Sequence, residues 1–302
     1  MILNVNSGGG EKVTIDGVKV KEKLALKCVI EDTKLPDFPV TLNFNDYTDA
    51  FVYNDEIYAF YYDYIYKYDG TSWTQVVSLP FSYNAGQAVV YKNEIHILGC
   101  ASNSSYYKYH YKYNGSSWTR LNNLSINIMS SSEAVVYNNA IHIFNYLSHY
   151  KFNGSSWTKL SNLPVSFSGA KAVVYNNELH ILGGAGNLNY YNSHYKYDGS
   201  SWTKLSDLPY PFYNGYAVLH DNEIHILGSS KDYDSSTNPI TYPYGKNHYK
   251  YDGSSWTELS DLPYDMDRAY AVSYKNEIHV FGGYNHPTEH YIIQRMLYLR
   301  EG

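Results

Sequence analysis

One phrase occurs five times in this chain. Trp73, Trp118, Trp157, Trp202 and Trp256, all of its tryptophans, each sit in a Gly-(Ser/Thr)-Ser-Trp-Thr stretch, at spacings of 45, 39, 45 and 54 residues. A motif recurring at such intervals marks a repeat array, in which each unit buries its apolar face against its neighbours. The flanks repeat as well. A typical unit opens with Ala172-Val173-Val174-Tyr175-Asn176-Asn177-Glu178-Leu179-His180-Ile181-Leu182-Gly183-Gly184. It continues, after a variable gap, with His194-Tyr195-Lys196-Tyr197-Asp198-Gly199-Ser200-Ser201-Trp202-Thr203-Lys204-Leu205.

Six such units begin near Ala50, Ala88, Ala134, Ala172, Ala217 and Ala271. Each splits into four short runs. The first is apolar (Ala88 to Tyr91), the second alternates (Glu94 to Leu98), the third is His-Tyr-Lys-Tyr and the fourth is Trp-Thr-Lys-Leu. Runs of this length and period read as strands. Asn-Asn, Lys-Asn or Asp-Asn pairs separate runs one and two, and Asn-Gly or Asp-Gly separates runs three and four, both suited to hairpins. No stretch has a helical period. The expectation is an all-β chain of four-stranded antiparallel units arranged radially, a six-bladed β-propeller.

The last unit never reaches a Gly-Ser-Ser-Trp after His290-Tyr291, whereas Thr33-Lys34-Leu35-Pro36-Asp37-Phe38-Pro39 reads like the end of a unit without a beginning. The segment around 32–38 is therefore expected to supply the outer strand of the last blade, closing the ring and removing exposed sheet edges. Residues 1–31 precede the repeats, and 32–302 form the propeller. Within the extension, Val13-Thr14-Ile15 and Val18-Lys19-Val20 flank Asp16-Gly17 and read as a hairpin, a tether or packing segment through which a larger assembly could be joined.

These residues carry a resemblance. Val-Val-Tyr-Asn-Asn-Glu-Leu-His-Ile-Leu-Gly-Gly, followed by an aromatic strand and a Trp about twenty residues on, resembles the kelch repeat, over roughly residues 32–302. The resemblance implies a kelch-type propeller closed between its termini. Gly183-Gly184 and Gly282-Gly283 keep the diglycine, while Tyr61-Tyr62 and Asn145-Tyr146 lack it, so blades one and three should bend differently after strand two. Met1 to Lys23 is similar to the N-termini of tail and fibre-associated proteins of phages and prophages.

Composition narrows the function. A net charge of −6 and four arginines in 302 residues argue against a nucleic-acid surface. Cys28 and Cys100 form neither a disulfide framework nor a zinc pattern. Met1 to Gly10 lacks the apolar core of a classical signal peptide, and no stretch is long enough to span a membrane. The expectation is a chain that is cytoplasmic on synthesis, virion-associated if the phage resemblance holds, with no cofactor and no bound metal.

Two repeated histidine positions, His96, His142, His180, His225 and His279 on strand two and His110, His149, His194, His248 and His290 on strand three, are replaced together in blade one by Tyr58 and Ile65. They are read as cross-strand packing pairs, and the tryptophans as packing between blades. The glutamates opening strand two, such as Glu94 and Glu178, are read as solvated turn residues.

Binding is expected where the repeats stop agreeing, in the strand two–three loops and the links between blades, which share one face. There Tyr83, Asn84, Tyr106, Tyr107, Tyr190, Tyr191, Tyr213, Asn214, Tyr242, Tyr244, Tyr264 and Tyr284 lie among Ser, Asn and Gly. That mixture resembles a paratope and suits a glycan or a protein ligand. Asp265, Asp267, Arg268 and His286 complete the candidate set.

The family resemblance also admits catalysis, since kelch propellers include a copper radical oxidase and a sialic-acid mutarotase. The first needs a cysteine crosslinked to tyrosine, a motif absent around Cys100. The second needs an acid/base pair over the channel, for which Asp267 and Arg268 are the candidates. The leading expectation is a non-catalytic recognition module at a bacterial surface. A sugar mutarotase or similar carbohydrate-active enzyme is the alternative, and an intracellular protein-interaction adaptor a third.

Overall fold

A computed structural model describes residues 3–4, 14–15, 18–19, 25–40, 49–61, 63–79, 86–99, 108–128, 131–186, 189–228, 245–266, 269–282 and 288–300. The chain divides into two compact units, Asp32–Ile293 and Met1–Glu31 with Gln294–Gly302. In the smaller unit Leu3–Asn4, Thr14–Ile15 and Val18–Lys19 form a three-stranded sheet, with Thr14 opposite Lys19 and Ile15 opposite Val18.

The larger unit is the β-propeller, six blades of four antiparallel strands each, with no helix among the described residues. From the axis outward, blade one is Ala50–Tyr53, Glu56–Tyr61, Tyr64–Tyr68 and Trp73–Ser78; blade four is Lys171–Tyr175, Glu178–Leu182, His194–Tyr197 and Trp202–Lys204. Innermost strands abut their neighbours around the ring, the sixth (Ala269–Tyr274) meeting the first. The sixth blade orders its strands Ala269–Tyr274, Glu277–Gly282, His290–Arg300 and Ala25–Lys34, so an N-terminal strand does close the ring, but it shares only residues 32–34 with the expected 32–38 segment and begins within the extension. The Leu35 amide donates to the His290 carbonyl at 2.8 Å, as Leu205 does to His194 at 2.8 Å in blade four.

The turns explain the repeated polar pairs. In all six blades both residues between strands one and two have positive φ, from Asn54 (50°) and Asp55 (59°) to Lys275 (48°) and Asn276 (62°). That is the type I′ hairpin, whose twist matches the strands and which Asn and Asp tolerate best without glycine. The strand three–four connections are four-residue loops rather than two-residue Asn-Gly turns. The side-chain oxygen of Asn114, Asn153, Asp198 or Asp252 accepts the amides of the residues two and three further on, at 2.8–3.0 Å. These bonds favour the ionised carboxylate and hold Asp198 and Asp252 below the usual range.

Each seam between blades holds its own apolar cluster. At the seam of blades two and three, Val89, Leu98, Ile141, Ile143 and Phe152 are buried, with Trp157 packed against them. The tryptophans thus pack between blades. The paired histidines lie in the same layer. His180 Nδ1 and His194 Nε2 are 2.8 Å apart, with the same distance for His96–His110, His142–His149 and His225–His248, and 3.0 Å for His279–His290. Trp256 of the next blade lies 5.7 Å from the His194 ring, and at the last seam Trp73 Nε1 donates to His290 Nδ1 at 3.3 Å.

Burial disfavours the imidazolium form, lowering strand-two histidines such as His180 to about 4 and strand-three histidines such as His194 to about 3. The joint replacement in blade one has a physical reason: one histidine without the other would leave a buried ring nitrogen unpaired. The strand-two glutamates differ from the solvated reading. Glu56, Glu94, Glu178 and Glu223 pair across the sheet with Lys67, Lys112, Lys196 and Lys250 at 2.8–2.9 Å.

Loss of the diglycine has the consequence its chemistry implies. In blade three, strands two and three continue to an Asn145–Ser148 pair across a two-residue turn, where Tyr146 takes φ 51°. In blade four Gly183, at φ 70°, ends the pairing, and a Cβ there would lie 2.0 Å from the Phe212 carbonyl.

Candidate functional site

Inner strands begin, and strands two and three separate, on one face of the propeller. Two features occupy that face.

The first is a tyrosine platform beside blade four. Ala185–Gly186 and Asn189–Tyr190 form a small ribbon projecting from the blade. Tyr190 stacks on Tyr213 of the following link, with centroids 4.5 Å apart and planes within 13°. Local backbone chemistry holds the link: Asn214 has φ 55°, and its amide donates to the Gly169 carbonyl at 3.0 Å. Gly169 must be small, because a Cβ there would fall 2.4 Å from the Tyr213 ring. Tyr191 anchors the ribbon through its backbone, donating to the Gly184 carbonyl at 2.8 Å and accepting from Phe212 at 2.9 Å. Tyr190, Tyr191 and Tyr213 are half-buried and Asn214 is exposed.

Tyr264 stands elsewhere. It is 3% exposed, within the cluster between blades five and six, and packs on Tyr291 at 5.4 Å. Its ring is part of the core, with the half-buried Asp265 next in the chain. Tyr83, Asn84, Tyr106, Tyr107, Tyr242, Tyr244, Asp267, Arg268, Tyr284 and His286 lie outside the described residues.

The second feature is the mouth of the axial channel, which the motif reading missed. The residue before the repeated alanine is different in nearly every blade: Asp49, Gln87, Glu133, Lys171, Tyr216 and Tyr270. All six are half-buried. A cavity of about 330 Å³ opens among the inner strands, with Asp49, Gln87, Glu133 and Tyr216 as polar lining above the alanines.

Charges here are coupled. Lys171 Nζ stands 3.1 Å from Glu133 Oε2 and 4.8 Å from the centre of the Tyr216 ring. Burial pushes the Glu133 carboxyl up, with Lys171 opposing it. Burial alone would lower the Lys171 ammonium, but Glu133 and Asp49 more than offset this and hold it above its ordinary value. The Lys171 ammonium donates to Glu133 Oε2, so each side chain has the other as its partner.

Asp49 is held differently. Its Oδ1 accepts the Ala50 amide at 2.9 Å and its Oδ2 the Ala88 amide at 2.7 Å, joining blades one and two. Burial raises its carboxyl to about 7 despite those bonds, and Glu133 adds to the rise. Tyr216 is pushed well above its ordinary value by burial, with the neighbouring carboxylates adding to the effect. A carboxyl titrating near neutrality in a cleft is a functional-site signal. Among the described residues no group of histidine, cysteine and carboxylate side chains is arranged to hold a metal ion.

No family model matches the chain, and no curated protein sequence does. Among solved structures, one described as the structure of YjhT is similar, with a TM-score of 0.72 at 14% identity over 88% of this chain and 97% of that one. At that identity the likeness establishes the β-propeller fold alone.

Proposed function

We propose that this is a kelch-type recognition module that binds a glycan through the tyrosine platform of its variable-loop face. The observation that supports this reading is the Tyr190–Tyr213 stack, 4.5 Å between centroids, set on a ribbon and link that both leave the regular blade. Aromatic rings fixed by backbone hydrogen bonds offer apolar area at little conformational cost, and Asn and Ser beside them supply donors and acceptors. Placement at a bacterial surface or on a phage or prophage tail, joined through residues 1–31, belongs to the same proposal.

A glycan-array screen of the full chain beside a Tyr190→Ala/Tyr213→Ala variant tests it. Selective binding that disappears in the variant supports the reading. An array without binding overturns the glycan, and a protein partner then becomes the ligand to seek. A second reading, a carbohydrate-active enzyme, draws on Asp49: a carboxyl titrating near pH 7 can both give and take a proton. Anomer exchange of a reducing sugar faster than in buffer, and lost in Asp49→Asn, would favour it.

A further inference from the structure

The six inner strands are close copies over most of their length, yet the position before the repeated alanine holds Asp49, Gln87, Glu133, Lys171, Tyr216 and Tyr270, and Asp49, Gln87, Glu133 and Tyr216 of these line the cavity. Packing alone gives no reason for that divergence, because the alanines just inside it fill equivalent places in every blade. The ring also lacks a second cation to match its second carboxyl. It holds two carboxylates and one ammonium, and the ammonium is already bound to Glu133 at 3.1 Å.

Among the described residues no lysine or arginine pairs with Asp49. Its two oxygens each accept one backbone amide, from Ala50 and Ala88. A carboxylate has about four acceptor sites, so acceptor capacity remains beyond those two bonds. A cavity of about 330 Å³ lies alongside, at the small end of the ~300–1,000 Å³ typical of small-molecule sites.

We propose that the mouth of the axial cavity is a binding site for a small organic cation bearing a primary ammonium group, which Asp49 takes as its counter-ion. The ammonium donates to Asp49 while the carbon body lies against the alanines. Lys171 stays on Glu133, and among the described residues Glu133, Lys171 and Tyr216 are the titratable groups that interact with the Asp49 charge. This site is separate from the tyrosine platform.

The proposal ties binding to pH. A cation needs Asp49 ionised, and burial sets that ionisation near pH 7. An aliphatic ammonium like that of lysine keeps its charge from about pH 6 to about pH 8, so only the protein titrates in that window. Affinity should then fall about tenfold from about pH 8 to about pH 6.

Calorimetric titration of the full chain with cyclohexylamine, and with cyclohexanol as its uncharged counterpart, tests this. The amine is expected to bind at least about tenfold more tightly than the alcohol, to lose affinity on acidification, and to lose it in Asp49→Asn. Asp49 also joins two blades, so Glu133→Gln serves as a second variant that leaves those bonds intact. At about pH 8, where Asp49 is ionised with or without Glu133, removing that negative charge and freeing Lys171 should weaken the amine several-fold and leave the alcohol unchanged. Equal affinity for amine and alcohol, amine binding independent of pH, or no binding of either would each overturn the proposal.

Discussion

The two ends of the inner strands follow opposite rules. At the end next to strand two, every blade closes with a type I′ turn, and four of the preceding tyrosines cap a neighbouring backbone. Tyr91 donates to the Asn139 carbonyl at 3.0 Å and Tyr274 to that of Asp55 at 2.8 Å. At the channel mouth, one residue position runs through acid, amide, base and phenol. The first end is copied because ring closure requires each blade to fit the next. The second diverges where four of its six residues, Asp49, Gln87, Glu133 and Tyr216, line a cavity. Seams and mouth should therefore respond differently to acid and to substitution.

Acid should open the seams first and give the largest effect. The ten seam histidines have folded-state values of about 4 and about 3, against about 6.5 in an unfolded chain. Above pH 6.5 both states are neutral and no stability is lost. As pH falls below that value the unfolded chain takes up protons that the folded chain refuses, so stability drops until the folded values are reached. At about pH 5 each histidine contributes roughly 2 kcal/mol to that loss. Acid unfolding followed by circular dichroism should begin below about pH 6.5 and finish above about pH 4. A transition confined below about pH 3.5 would point to the carboxylates instead.

A single pair gives the next effect. His194→Ala removes a buried ring and leaves the partner nitrogen of His180 without its 2.8 Å contact. The expected loss is about 2–4 kcal/mol in a denaturant titration. The histidine-free first blade sharpens the point. Ile65→His alone should destabilise by about 1–3 kcal/mol, whereas Tyr58→His with Ile65→His should recover part of that loss. Simple additivity in this cycle would mean that the pair is two packing residues rather than a hydrogen-bonded unit.

Much of the fold could be read directly. The type I′ turns, the Trp seams and the closing strand were all visible in Asn-Asn pairs, the Gly-Ser-Ser-Trp phrase and the displaced Thr33-Lys34-Leu35. The site was less legible. The channel-mouth ring has no motif to betray it; its signal was the one non-repeating position just before an otherwise constant alanine. Tyr264 misled for the opposite reason. Tyrosine composition alone does not say which way a ring points, but Leu208-Pro209-Tyr210 and Leu262-Pro263-Tyr264 repeat each other, and both tyrosines are buried. Repetition there marked core rather than surface. The glutamates of strand two were misjudged because their lysine partners lie eleven to twenty-seven residues away across the hairpin.

The smallest effect is expected at the mouth itself. Gln87 is half-buried, and among the described residues its side-chain amide donates only to the Gly86 carbonyl beside it, at 3.0 Å, so it fastens none of the described blades to another. Gln87→Ala should change stability by less than about 0.5 kcal/mol, even though the residue sits at the start of an inner strand. Its neighbour in the same ring, Asp49, joins two blades, so the comparison must be made at Gln87. A loss above about 1.5 kcal/mol would show that the ring is held by packing, and would remove the contrast between a copied end that closes the propeller and a divergent end available for a ligand.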